Sequence, residues 1–196
     1  MRKSEIARKT AETDIALTLD LDGCGNYSVD TGVGFLDHML ALFAVHGRFD
    51  LSATCKGDVR VDAHHTVEDM GLTLGAAVSQ ALGDRRGINR YGEAALPMDE
   101  TLVLCALDIS GRSHLTFAVP IPSPKIGEFD SELVEEFFVA FARACAATIH
   151  LREFSGGNSH HIAECCFKAF ARALSKAVGM DGARAGEIPS SKGTLT

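Results

Sequence analysis

One short pattern, present twice, carries metal-binding chemistry. His64-His65-Thr66-Val67-Glu68 recurs as His160-His161-Ile162-Ala163-Glu164, 96 positions later, and the two stretches hold four of the chain's eight histidines. A lone histidine near a helix start is usually a cap or a satisfied polar group, but repetition at matching places is not expected of one. Imidazole and carboxylate donors without thiolate suit manganese, iron or zinc. On a helix, residues four apart share a face, so His64 with Glu68, or His160 with Glu164, approach one ion. Adjacent residues diverge by about 100° at 3.6 residues per turn, so His64 and His65 do not chelate the same ion. Each pattern therefore feeds two sites. The four histidines and two glutamates cannot complete two sites within one half, so donors must converge from both halves or from neighbouring subunits.

Two further donors come from the repeat itself. Phe35-Leu36-Asp37-His38-Met39-Leu40 aligns with Leu133-Val134-Glu135-Glu136-Phe137-Phe138 at an offset of 98, which sets His38 opposite Glu136. The candidates are then His38, His64, His65, Glu68, Glu136, His160, His161 and Glu164, four for each of two ions. Four protein donors leave open positions on a six-coordinate ion, as catalysis on a directly bound substrate requires. Cys165 and Cys166 adjoin Glu164 but follow the core side of the helix and stay out of the donor set. The pattern is not H-E-x-x-H, and no G-x-S-x-G, P-loop or G-x-G-x-x-G is present, which argues against a zinc peptidase, a hydrolase elbow and a nucleotide cofactor.

The elements that must position these residues punctuate themselves. Ile15, Leu17, Leu19 and Leu21 alternate with Ala16, Thr18 and Asp20, which predicts a half-buried strand. A turn over 22–26 leads to a short return strand over 27–30. Helical spacing over 35–45, alternation over 49–55 and a helix over about 63–82 complete a ββαβα unit in the first half. The second half repeats the order, with strands over 101–108, 113–119 and 148–154 and helices over 130–144 and 159–178. Pro120, Pro122 and Pro124 interrupt it. The expected fold is α+β, a two-layer α/β sandwich with internal duplication of a ββαβα unit and mixed sheets carrying helices on one face. The halves divide as 1–90 and 91–186, with a tail over 187–196, and act as one compact unit.

Composition narrows the partners. Of 196 residues, 46% are hydrophobic and 23% charged, ordinary values that exclude wholesale disorder. Nineteen basic against twenty-six acidic side chains give a net charge of −7, which argues against a nucleic-acid binder led by a basic surface and leaves room for a local basic pocket. The longest apolar run, Met39 to Val45, is seven residues, far short of a membrane span. The start lacks a signal peptide's apolar stretch, and the six cysteines form no C-x-x-C; buried reduced thiols in a cytoplasmic protein are expected.

Several separated segments, in order along nearly the whole chain, resemble imidazoleglycerol-phosphate dehydratase in its monofunctional form. They are Arg8-Lys9-Thr10-Ala11-Glu12-Thr13, Gly34-Phe35-Leu36-Asp37-His38-Met39-Leu40, Asp62-Ala63-His64-His65-Thr66-Val67-Glu68-Asp69, Asn158-Ser159-His160-His161, Phe167-Lys168-Ala169-Phe170 and Pro189-Ser190-Ser191-Lys192-Gly193. The resemblance implies dehydration of D-erythro-imidazole glycerol phosphate to imidazole acetol phosphate in histidine biosynthesis. It implies two manganese ions per active site, bound by His38, His64, His65, Glu68, His160, His161 and Glu164. Glu136 stands where the family more often has histidine; a glutamate also ligates a hard ion, so the site is expected to keep it, against a solvent-facing or salt-bridged side chain.

The implied reaction removes a weakly acidic proton from the carbon beside the azole ring. A metal on a ring nitrogen favours the imidazolate, which expels the hydroxyl through a diazafulvene-like intermediate. Glu12 is the first candidate for acid/base work, with Glu68 or Glu164 sharing it. Arg90, Arg112, Lys168, Ser190 and Lys192 match the family's substrate contacts, and the tail bearing Ser190 and Lys192 is expected to fold over the substrate. The resemblance further implies a homo-oligomer of twenty-four copies with active sites between subunits, and neither nucleic-acid nor membrane partners. A metal-storage protein and a dinuclear hydrolase would use similar donors. Products separate them: dehydration gives a ketone, hydrolysis gives free phosphate, and storage gives neither.

Overall fold

The computed structural model describes residues 2–195, Arg184 by its backbone alone. Each half contains one strand ahead of the expected unit, so the repeat is βββαβα. The first half runs β1 (Lys3–Lys9), β2 (Thr13–Asp20), β3 (Tyr27–Asp30), α1 (Gly34–Gly47), β4 (Asp50–Gly57) and α2 (His64–Leu82). The second runs β5 (Tyr91–Met98), β6 (Thr101–Asp108), β7 (His114–Ala118), a small hairpin of β8 (Lys125–Ile126) and β9 (Phe129–Asp130), α3 (Leu133–Cys145), β10 (Thr148–Ser155) and α4 (Ser159–Val178). The two added strands are hidden in the sequence for physical reasons. Strand β1 is an edge strand with only Ser4 fully buried. Strand β5 turns Gly92 and Ala94 inward, residues too small to register as an apolar period. Gly92 is required there, because a Cβ would overlap the Ala173 carbonyl of α4.

The sheets share one topology. The first is ordered β1-β2-β4-β3 and the second β5-β6-β10-β7. In each, the first three strands are antiparallel and the last joins in parallel, so both sheets are mixed. Alternation sets the faces: Ile15, Leu17 and Leu19 are buried on β2, while Asp14, Ala16 and Thr18 are exposed.

Helices pack on one face of each sheet and then against each other across the halves, α1 on α4 and α2 on α3. This crossing decides where the functional donors meet. On α2, Gly71 and Gly75 let α3 come close; a Cβ at either would sit 2.7 Å and 2.6 Å from the Phe137 and Phe141 carbonyl oxygens. Phe137, Phe138, Phe141, Phe167 and Phe170 fill the centre, with Phe141 and Phe170 centroids 4.8 Å apart in an edge-to-face contact. Gly75→Val is expected to lower stability by about 2–3 kcal/mol through overpacking, read as a lower melting temperature. Among the described residues, no helix is long and apolar enough to cross a membrane.

Candidate active site

The crossed helices assemble two donor triads. His38 of α1 meets His160 and Glu164 of α4, and His64 and Glu68 of α2 meet Glu136 of α3. In each triad the donor atoms lie within 4.8 Å of one another. Donors around an ion with bonds of about 2.1 Å stand roughly 3–4 Å apart, so either triad closes on an ion with small side-chain adjustments. The chemistry of the donors agrees: imidazole and carboxylate, with both neighbouring thiols turned into the core. Cys165 and Cys166 are buried, and the Cys165 thiol donates to the Leu96 carbonyl at 3.0 Å.

Glu164 is the pivot of the first triad. Its Oε1 lies 2.6 Å from His38 Nε2 and 3.0 Å from His160 Nε2, and its Oε2 accepts from Lys168 Nζ at 2.5 Å. Burial opposes its charge, yet Lys168, His38 and His160 together hold the carboxyl down to about 2. In the second triad all three side chains are half-buried, and the Arg143 Nη1 stands 3.9 Å from Glu68 Oε1. Local capping aims both helix starts: the Asn158 side-chain Oδ1 accepts from the His160 and His161 amides, and Asp62 Oδ1 accepts from the His64 amide.

The adjacent histidines diverge. His64 and His65 rings meet at 88°, His160 and His161 at 85°. His65 leaves the triads and lies with its Nδ1 3.0 Å from Asp58 and its Nε2 3.6 Å from Glu12. His161 turns its Nδ1 to Glu100 Oε2 at 2.9 Å. The Asp58 hydrogen bond raises the His65 pKa and the Glu100 bond raises that of His161, while Glu100 itself is held at about 2, by His161 first and the Asn158 amide second.

Glu12 sits in the β1–β2 turn, where Thr10 Oγ1 accepts from the Glu12 and Thr13 amides. That turn is fastened to α2: Thr13 Oγ1 donates to buried Asp69 at 2.5 Å, and Arg8 donates to Asp69 through Nε and Nη2 at 2.9 and 2.7 Å. Asp69→Ala strands the Arg8 and Thr13 donors and is expected to cost about 2–3 kcal/mol, measured by denaturant melting. Asp58, Asp69 and Glu100 carry no periodic signal, so sequence reasoning gave none of them a role.

A separate cavity of about 250 Å³ gathers Arg90, Ser110, Arg112, Ser190 and Lys192. Arg90 forks onto Asp108 at 2.7 and 3.1 Å. Among the described residues, Arg112 and Lys192 have no such carboxylate partner, so the cavity keeps positive charge on an acidic protein. The C-terminal tail lies across it, pinned by Arg86 to the Gly186 carbonyl, Arg90 to that of Pro189 and Arg85 to that of Leu195. Lys168 is not in this cavity; it stands at the first triad, on Glu164.

Fold and donors define a class: an internally duplicated α+β enzyme whose halves trade helices to build twin histidine–carboxylate clusters. A family model for imidazoleglycerol-phosphate dehydratase matches residues 31–174. The imidazoleglycerol-phosphate dehydratase of Xanthobacter autotrophicus is 58% identical over 195 residues, covering 100% of this chain and 99% of that one. Among solved structures, the dehydratase of Staphylococcus aureus superposes with a TM-score of 0.83 at 38% identity, over 91% of this chain and 99% of that chain. That of Pyrococcus furiosus, in complex with (S)-C348, gives 0.82 at 36% identity, over 97% and 100%. The chain belongs to the imidazoleglycerol-phosphate dehydratase family, and is a hydro-lyase of histidine biosynthesis.

Proposed function

We propose that the chain dehydrates D-erythro-imidazole glycerol phosphate to imidazole acetol phosphate and water, with two manganese ions per active site held between copies of the chain. One observation carries this reading. The triads stand at the N-terminal ends of α2 and α4, and the cationic cavity stands at the other end, where the Arg90 amide donates to the Ala177 carbonyl of α4. From His160 to Ala177 the helix rises about 25 Å at 1.5 Å per residue. A three-carbon chain between an azole ring and a phosphate does not span that distance. Ring and phosphate therefore meet donors from different copies, as a homo-oligomer with sites at its interfaces requires.

In this reading His38, His160 and Glu164 hold one ion, and His64, Glu68 and Glu136 the other. His65 and His161, which face away from both triads, complete the sets of neighbouring copies at four donors each. Bound ions supply Lewis-acid stabilisation for the negative charge that develops on the azole ring. Glu12 travels with His65 into the neighbouring site and handles the proton on the carbon beside the ring. Glu68 and Glu164, each a donor to an ion in this reading, leave the proton work chiefly to Glu12. Arg90, Arg112, Ser190 and Lys192 receive the phosphate, the tail over 187–195 serving as one wall, and Lys168 fixes the Glu164 carboxylate beside the ring.

The assembly is a homo-oligomer of twenty-four copies in the cytoplasm, without nucleic-acid or membrane partners. Six unpaired cysteines, five of them buried, suit a reducing compartment. Light scattering tests the shared sites: chelation is expected to split the particle into smaller units that regrow when manganese returns, and an unchanged size would count against ions between copies.

A further inference from the structure

His65 and His161 are the two histidines of the repeated pattern that neither triad uses, and each has its ring nitrogen Nδ1 on a carboxylate. We propose that Asp58 and Glu100 are positioning residues, which lock His65 and His161 as Nδ1-protonated rings with Nε2 presented outward to an ion of a neighbouring copy. The proposal rests on the reading of those histidines as donors between copies.

The geometry carries the inference in three steps. An ionised carboxylate only accepts, so the nitrogen facing it must carry the proton, and the remaining lone pair is left on Nε2. Asp58 lies 3.0 Å and Glu100 2.9 Å from their respective Nδ1 atoms. The Glu100 carboxylate and the Asp58 backbone are themselves held. Glu100 Oε1 accepts from the Asn158 amide at 2.8 Å and from the Thr101 hydroxyl at 3.1 Å, which ties the β5–β6 turn to the cap of α4. The Asp58 amide donates to the Glu12 carbonyl at 3.1 Å, so one residue fixes both the His65 ring and the turn that bears Glu12.

Duplication brings one carboxylate to each ring: Glu12 precedes β2 as Glu100 precedes β6, and Glu12 stands 3.6 Å from His65 Nε2. The acceptor on Nδ1 is not the duplicated one in both halves. Asp58 lies 7 residues before its histidine, in the loop that follows β4, whereas Glu100 lies 61 before its own, between β5 and β6. Non-equivalent loops therefore supply a carboxylate to the same nitrogen of equivalent rings, as a requirement on the ring would. Without the acceptor the ring can rotate, or move its proton to Nε2 and lose the donor pair.

The test uses the full chain, stripped by chelator and titrated calorimetrically with manganese chloride alone. Asp58→Ala is expected to weaken one class of manganese site by about 10- to 100-fold and spare the other, and Glu100→Ala to do the converse. Asp58→Asn and Glu100→Gln keep an acceptor oxygen and are expected to recover most of the loss. The metal-free variants are expected to melt within a few degrees of the unaltered chain. Alanine variants that bind two ions per chain with unaltered affinity would overturn the proposal and leave the two-ion reading standing. Equal weakening of both classes, with a lower melting temperature of the metal-free chain, would show a merely structural role and overturn it too. An unaltered chain that binds no manganese would overturn the metal reading and this proposal together.

Discussion

His65→Ala is expected to lose dehydration activity and bound manganese together, although His65 is a donor in neither triad of its own chain. The variant keeps His64, Glu68 and Glu136 in place, so a site built within one chain would survive it. A site completed by a neighbour's imidazole would fall to three protein donors, and Glu12 would lose the ring that stands 3.6 Å from it. Loss of Lewis-acid stabilisation is worth several kcal/mol, so kcat/KM is expected to drop by at least about 1000-fold, on the order of 4 kcal/mol. Elemental analysis beside a ketone assay reads both quantities. The side chain is half-buried at the chain's surface rather than in the core, so the fold itself is expected to persist.

Mixing two crippled chains is expected to restore activity. Arg112→Ala removes an unpaired guanidinium from the cationic cavity, and lost charge-assisted hydrogen bonds of about 1.5–3 kcal/mol are expected to lower kcat/KM by roughly 10- to 100-fold. His160→Ala removes a triad donor at the other end of α4. If ring and phosphate are gripped by different copies, co-assembly of the two variants regenerates intact sites at about a quarter of the interfaces for random pairing. Dissociating the mixture with chelator and reassembling it with manganese is then expected to raise activity well above either parent. A mixture no better than its parents would place the whole site within one chain and remove the main support for the shared arrangement.

The chemistry was more legible in the sequence than the scaffold. A helix converts a spacing of four into a shared face, so His160 with Glu164 and His64 with Glu68 could be paired from residue numbers alone. The repeat offset brought in His38 and Glu136, and the structure places each with the triad of the other half's long helix. Strands β1 and β5 were not legible, because an edge strand bearing Lys3, Glu5 and Lys9 and a strand turning Gly92 inward offer no apolar period. Asp58 and Glu100, in loops, and Asp69, on α2, were missed because they act through tertiary proximity, which spacing does not encode. Lys168 follows the helix rule instead: four residues from Glu164 on α4, it faces the triad rather than the cationic cavity to which the resemblance assigned it. The tail was legible as a segment, but its anchorage by Arg85, Arg86 and Arg90 required the fold.

The most direct measurement is manganese content and conversion of imidazole glycerol phosphate on one preparation, before and after chelation. Two ions per chain are expected, with ketone formation that falls as they are removed and recovery of both when manganese is restored. Full conversion by a chain stripped of divalent metal would rule out metal-dependent dehydration.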